Sequence, residues 1–77
     1  MKEVFIKTEF IKLGQALKLA GLVGSGTDAK FLIGDGLVRV NGETETRRGR
    51  KLFGGEVVTF EEESFVIVNM SNTKDRS

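Results

Sequence analysis

The sequence predicts an α+β domain in which two short packed helices lie against a small, mainly antiparallel sheet of about five strands. Three observations predict it. Apolar residues recur at helical spacing between about residues 12 and 34, the period changes to two from Gly36 onward, and a short β-branched and aromatic segment precedes the first helix. The 77 residues accommodate one core, read as a single domain over residues 1–70 with a polar, disordered tail over 71–77. A chain this short buries only about 60% of the surface its unfolded form exposes, so the placement of each apolar residue matters.

Val4-Phe5-Ile6-Lys7-Thr8 reads as the first strand. The first helix is expected from about Lys12 to Ala20: Leu13, Ala16, Leu17 and Ala20 fall on one stripe, with Lys12, Gln15 and Lys18 opposite. Gly14 weakens this helix by roughly 1 kcal/mol relative to Ala, and Gly21 is a stop signal. The second helix is expected to run to about Gly34, with Ala29, Leu32 and Ile33 as its buried face. Ser25 with Asp28 has capping-box spacing, and Thr27 is the alternative N-cap. Such short helices are not stable alone and must pack on each other and on a sheet.

Leu37-Val38-Arg39-Val40, Asn41-Gly42 and Glu43-Thr44-Glu45-Thr46 form a hairpin signal. Asn-Gly accepts the positive φ angles of a type I′ turn, which sets Val40 opposite Glu43 and Arg39 opposite Thr44. Arg47–Lys51 is expected as a loop. Val57–Phe60 and Ser64–Met70 follow as strands, giving four strands after the helices. Phe5, Phe10, Phe53, Phe60 and Phe65 are assigned to the core or its rim.

Composition narrows the function. Cysteine, histidine, tyrosine and tryptophan are all absent. Disulfides and thiolate sites are therefore excluded, and the commonest general base and metal ligand are missing. No apolar run approaches the ~20 residues of a spanning helix, and the opening residues lack the apolar region of a secretory signal. A cytoplasmic location is the expectation. The net charge is only +1, but it is unevenly spread. Residues 1–52 hold ten Lys/Arg and six Asp/Glu, whereas Glu56, Glu61, Glu62 and Glu63 meet no base across residues 53–73. Such polarisation offers a positive face despite a small sum.

The strongest local signal is Arg47-Arg48-Gly49-Arg50-Lys51, four cations in five residues. A polyanion relieves their mutual repulsion, and the arginine fork matches phosphate. The competing reading is a solvated loop neutralised by Glu43, Glu45 or Glu61–Glu63. Lys12, Lys18, Lys30 and Arg39 form a more diffuse second set able to extend a phosphate-tracking face. Phe31, off its helix stripe, either stacks on an unpaired base or packs under a neighbouring strand; the usual fate of Phe favours packing. Glu61–Glu63 reads as a solvated turn. Gly34-Asp35-Gly36 and Gly24-Ser25-Gly26 lack the spacing of a nucleotide phosphate loop.

Taken in order, Lys12-Leu13, Leu17, Gly21-Leu22-Val23, Ser25, Ala29-Lys30, Leu32-Ile33, Gly36-Leu37-Val38 and Val40-Asn41-Gly42 resemble the S-four RNA-binding domain. This module is named after the fourth protein of the small ribosomal subunit and is also called the alpha-L motif. The match covers about residues 12–60. With its N-terminal strand and Glu45–Lys51 after the Asn-Gly turn, the chain is similar to the stand-alone bacterial YaaA/YbcJ-like branch. The resemblance implies a surface of helix pair and following loop that grips structured RNA, often ribosomal or transfer RNA. By position it implicates Lys12, Lys30, Arg47, Arg48, Arg50 and Lys51, and Ser25 matches the serine that conventionally precedes helix two. Gly26 stands where many members have Arg, and Gly14 where many have Asp, which shifts weight onto the loop.

The leading expectation is a non-catalytic protein that binds structured RNA, ribosomal RNA or a ribosome-associated particle, without cofactor, metal, membrane or small-molecule substrate. Arg47, Arg48, Arg50 and Lys51 would contact phosphates, supported by Lys12, Lys18, Lys30, Arg39 and Ser25. The alternative is a protein-interaction adaptor that binds an acidic partner through the basic loop or adds a strand at a sheet edge. A small enzyme ranks last for want of His and Cys.

Overall fold

A computed structural model describes residues 1–71. Along the chain lie β1 (Lys2–Ile6), β2 (Ile11–Lys12), α1 (Leu13–Leu19), α2 (Gly26–Gly34), β3 (Val38–Val40), β4 (Glu43–Thr44), β5 (Lys51–Leu52), β6 (Val57–Phe60) and β7 (Glu63–Asn69). Five strands form one sheet in the order β1-β7-β6-β3-β4, and β2 pairs with β5 in a separate two-stranded ribbon. β1 runs parallel to β7, with Val4 beside Ile67, while every other pairing is antiparallel.

Both helices form; α1 stops before Gly21 as expected, and α2 runs to Gly34. Gly21 and Gly36 adopt φ of +79°, and each ends its helix with a pair of backward bonds. Leu22 N–H reaches Leu17 O at 3.1 Å and Gly21 N–H reaches Lys18 O at 3.0 Å. Leu37 N–H reaches Leu32 O at 3.1 Å and Gly36 N–H reaches Ile33 O at 3.0 Å. These are the paired bonds of a Schellman C-cap, which satisfy carbonyls otherwise left open. The Lys2 ammonium donates to Ala20 O at the end of α1. Ser25 is the N-cap of α2, its Oγ accepting from Asp28 N–H at 3.2 Å.

The core is one cluster. Leu13, Ala16, Leu17 and Ala20 of the α1 stripe join Ala29 and Ile33 of α2, and Leu32 packs partly against them. Val4, Ile6, Val38, Val40, Val58, Phe65 and Ile67 supply the sheet side. The hairpin has the expected register, Val40 with Glu43 and Arg39 with Thr44, around an Asn41 whose φ is +54°.

Several expectations are corrected. The first strand is Lys2–Ile6 rather than Val4–Thr8, because its edge is set by pairing with β7 from Lys2–Phe65 to Ile6–Asn69. Five strands follow the helices instead of four, since Lys51 and Leu52 leave the basic loop to pair with Lys12 and Ile11. Phe5 is 56% exposed, because alternation along β1 turns it to the face opposite Val4 and Ile6. Phe53 is 49% exposed, turned away from its buried neighbour Leu52, and its ring tilts against that of Phe10 with centroids 5.9 Å apart. Phe31 does not pack under a strand; it is 63% exposed.

Ser71 Oγ donates to Asn69 Oδ1 at 2.6 Å. The rest of the expected tail, 72–77, lies outside the described residues. Among the described residues no helix is long and apolar enough to cross a membrane.

Candidate nucleic-acid interface

The basic segment is bolted to the fold at both ends and in its middle. Before it, Glu45 N–H donates to Val38 O at 2.9 Å; after it, β5 pairs with β2. Between them, the carbonyls of Arg48 and Arg50 accept from Gly14 N–H at 3.1 Å and Leu13 N–H at 2.8 Å. The first amides of a helix have no partner within it, so α1 takes its N-terminal acceptors from the loop. The backbone of the loop is thereby held directly against the start of α1.

Glu45 is the acid that neutralises part of this loop. Its carboxylate accepts from Arg47 N–H at 2.9 Å, Arg47 Nε at 2.9 Å, Arg47 Nη2 at 3.2 Å and Arg50 Nη1 at 3.0 Å. The Glu45 side chain is 7% exposed, whereas that of Arg47 remains 75% exposed. The Arg47 guanidinium holds the Glu45 carboxyl down to about 2, against the opposing effect of burial and with help from the Arg47 amide and Arg50. Glu45 in turn raises the Arg47 pKa. With its oxygens engaged by both arginines, Glu45 is a structural counter-ion rather than an acid or base poised for catalysis. Among the described residues no group of three or more His, Cys, Asp or Glu is arranged to hold a metal.

Arg48 and Lys51 pair with no described carboxylate. Lys51 Nζ stands 4.8 Å over the Phe10 ring, a cation–π contact. Lys51 is also the register partner of Lys12. Like charges directly opposite on paired strands repel, and no described acid intervenes through an ion pair. Arg48 lays its aliphatic stem over Gly14 of α1, in room that any larger residue there would occupy.

Three shallow grooves meet at Gly49. The first, of about 340 Å³, is walled by Lys12, Gln15, Lys18, Gly26 and Arg48. The second, of about 570 Å³, is walled by Lys30, Phe31, Asp35, Thr46 and Arg48. The third carries Arg47, Arg50 and Lys51. Arg48 thus stands between cations of α1 and α2, and the loop continues the same face. Arg39 is not brought there. It lines a separate groove with Leu37, Thr59, Phe60 and Glu61. Ser25 adjoins Gly26 at the first groove, with its hydroxyl engaged as the α2 cap.

In the sequence Glu45 is one of several candidate counter-ions, beside Glu43 and Glu61–Glu63. The nearest signal was its spacing, two residues before Arg47 and five before Arg50. The role of Gly14 had no sequence signal, because its neighbour Arg48 is remote in the chain.

The model of a family described as the S4 domain matches residues 4–68. A probable ribosome maturation protein, RlbA of Bacillus subtilis (strain 168), is 49% identical over 67 residues, which cover 86% of this chain and 94% of the relative. A putative RNA-binding protein, YbcJ of Escherichia coli (strain K12), is 39% identical over 62 residues, covering 80% of this chain and 89% of that one. The solution structure of YbcJ from E. coli, described as revealing an alfaL motif involved in RNA binding, superposes with a TM-score of 0.69 at 36% identity. That match covers 88% of this chain and 87% of the other.

Proposed function

The chain belongs to the S4 domain family, and from that membership we propose that it is a non-catalytic RNA-binding protein gripping the phosphates of structured RNA. The RNA is ribosomal, or part of a particle in ribosome maturation, and the setting is the cytoplasm. The relatives support this reading by their descriptions, one as a probable ribosome maturation protein and one as a putative RNA-binding protein.

One observation carries it: Lys12, Lys18, Lys30, Arg47, Arg48, Arg50 and Lys51 gather on grooves that share Gly49. Glu45 is the carboxylate paired with two of them, and among the described residues Arg48, Lys51 and the helix lysines have no carboxylate in an ion pair. Holding such charges side by side costs electrostatic repulsion that a phosphate chain relieves. The face belongs to the two helices and a pinned loop, so it presents its charges in a set geometry suited to a folded RNA. Arg39 stands apart from this face, and Ser25 serves it by fixing α2.

If four to six phosphates are engaged, log K falls with log salt at a slope of roughly −3 to −5. The test is an anisotropy titration of a structured ribosomal RNA fragment and a plain duplex of equal length at several salt concentrations. The variant is Lys12→Gln/Arg48→Gln/Lys51→Gln, which leaves both partners of Glu45 in place. It is expected to stay folded, bind more weakly and flatten the slope by about 2 to 3, at 0.7 to 0.9 per contact. Equal binding by native protein and variant overturns the face. Equal binding of both RNAs removes the ribosomal part of the reading and leaves general RNA binding.

A further inference from the structure

Phe31 is a large apolar side chain on the solvent side of α2, 63% exposed, while Ala29 and Ile33 of the same helix are buried. Its surroundings are specific. The groove it lines has Lys30 and Arg48 as cations, Thr46 as a hydroxyl and Asp35 as a carboxylate. At Gly34 and Gly49 a Cβ would meet nothing within 4 Å, so the space beside the ring is open.

Resting on the RNA-binding reading above, we propose that Phe31 is the stacking platform for one unpaired nucleobase of the bound RNA, with Lys30 and Arg48 holding the phosphates beside it. Charge complementarity chooses this occupant. A phosphate is drawn to Lys30 and Arg48 but repelled by Asp35. A base is neutral, stacks its π-face on an aromatic ring, and offers N–H groups at its edge that a carboxylate or hydroxyl accepts. The groove therefore offers cations to the backbone and an aromatic ring to the base. A fully paired helix keeps its bases inside and has nothing to place on Phe31. The platform thus directs the protein toward RNA with a bulge, a loop or a flipped nucleotide beside a stem.

The experiment is a double-mutant cycle between protein and RNA. The probe is an RNA hairpin with a single bulged adenosine, compared with the same hairpin carrying an abasic residue at that position. The proteins are wild type, Phe31→Leu and Phe31→Trp, each checked for unchanged melting temperature. Phe31→Leu is expected to weaken binding to the bulged adenosine by about 5- to 150-fold, the range for losing one base–aromatic stack. On the abasic RNA the same substitution should cost nothing. Phe31→Trp should restore binding, and the salt slope should stay constant across all three proteins. Equal affinity of wild type and Phe31→Leu for the intact RNA overturns the platform and leaves the phosphate face standing. So does an equal loss on both RNAs. A wild type that binds neither hairpin, nor the ribosomal fragment, overturns the RNA reading itself and the platform with it.

Discussion

The stem of Arg48 fills the space above Gly14: a Cβ added there would stand 2.8 Å from Arg48 Cγ and 3.4 Å from Arg48 Cδ. The Cγ is close to the loop backbone, which is itself bonded to Gly14 N–H through Arg48 O. The loop therefore cannot yield cheaply, and glycine at this position lets a cation of the loop rest on α1.

Helix propensity alone predicts that Gly14→Ala stabilises the protein by about 1 kcal/mol. Overpacking against Arg48 costs about 1–3 kcal/mol, so the variant should be no more stable than wild type and should bind RNA more weakly. In an Arg48→Ala background the clash is gone, and Gly14→Ala should then stabilise by about 1 kcal/mol. Urea denaturation of the four proteins checks this. Additive effects would show that the two residues do not compete for space.

Glu45→Gln should destabilise the fold at neutral pH by ~1.5–3 kcal/mol, the range for hydrogen bonds to a charged group. The pH dependence has a defined sign. The Glu45 carboxyl lies at about 2 in the folded protein, below its ordinary 4.5. Its contribution is therefore full above about 4.5 and is lost as pH falls towards 2. The stability difference between wild type and Glu45→Gln should shrink across that window, measured by denaturation at pH 7, 4.5 and 3. A difference independent of pH would mean that the ionised carboxylate is not the stabilising species.

Ser25→Ala removes the acceptor of Asp28 N–H and should cost about 1 kcal/mol of stability, with the range for such caps running from 0.5 to 2. Its affinity for RNA, measured at one salt concentration where both proteins are folded, should equal that of wild type. Weaker binding would instead make the Ser25 hydroxyl part of the RNA contacts.

Arg48→Gln and Arg39→Gln should behave differently. The first removes one charge from the shared face and should flatten the salt slope by 0.7 to 0.9, while the second should leave it unchanged. Matched losses in titrations of the two variants would extend the interface to the far groove.

Much of this architecture was legible locally. The stripe of Leu13, Ala16, Leu17 and Ala20 faces the core as its spacing required, and Gly21 stops α1. Asn41-Gly42 sets the hairpin register residue for residue. The basic loop was visible as composition, and so were the lysines of the helix faces. The aromatics were less legible. Hydrophobicity put Phe5 in the core or its rim and favoured packing over stacking for the off-stripe Phe31, but both rings are exposed, Phe5 by the alternation of β1.

The sequence by itself determined the two helices, the Gly21 stop of α1, the Asn41-Gly42 hairpin and the stock of cations, because those follow from hydrogen bonds and periodicities spanning a few residues. The bounds of β1 and the β2–β5 ribbon depend instead on pairing across the chain. Only the tertiary structure decided that β1 lies parallel to β7, that Lys12 faces Lys51, and that Glu45 rather than Glu43 or Glu61–Glu63 pairs with Arg47 and Arg50. Only it brought Lys12, Lys18, Lys30 and Arg48 to grooves sharing Gly49 and left Arg39 elsewhere. Each of these rests on contacts between segments distant in the chain. Such contacts form when burying a shared apolar core outweighs the entropy of closing the intervening loops, and no local pattern encodes that balance.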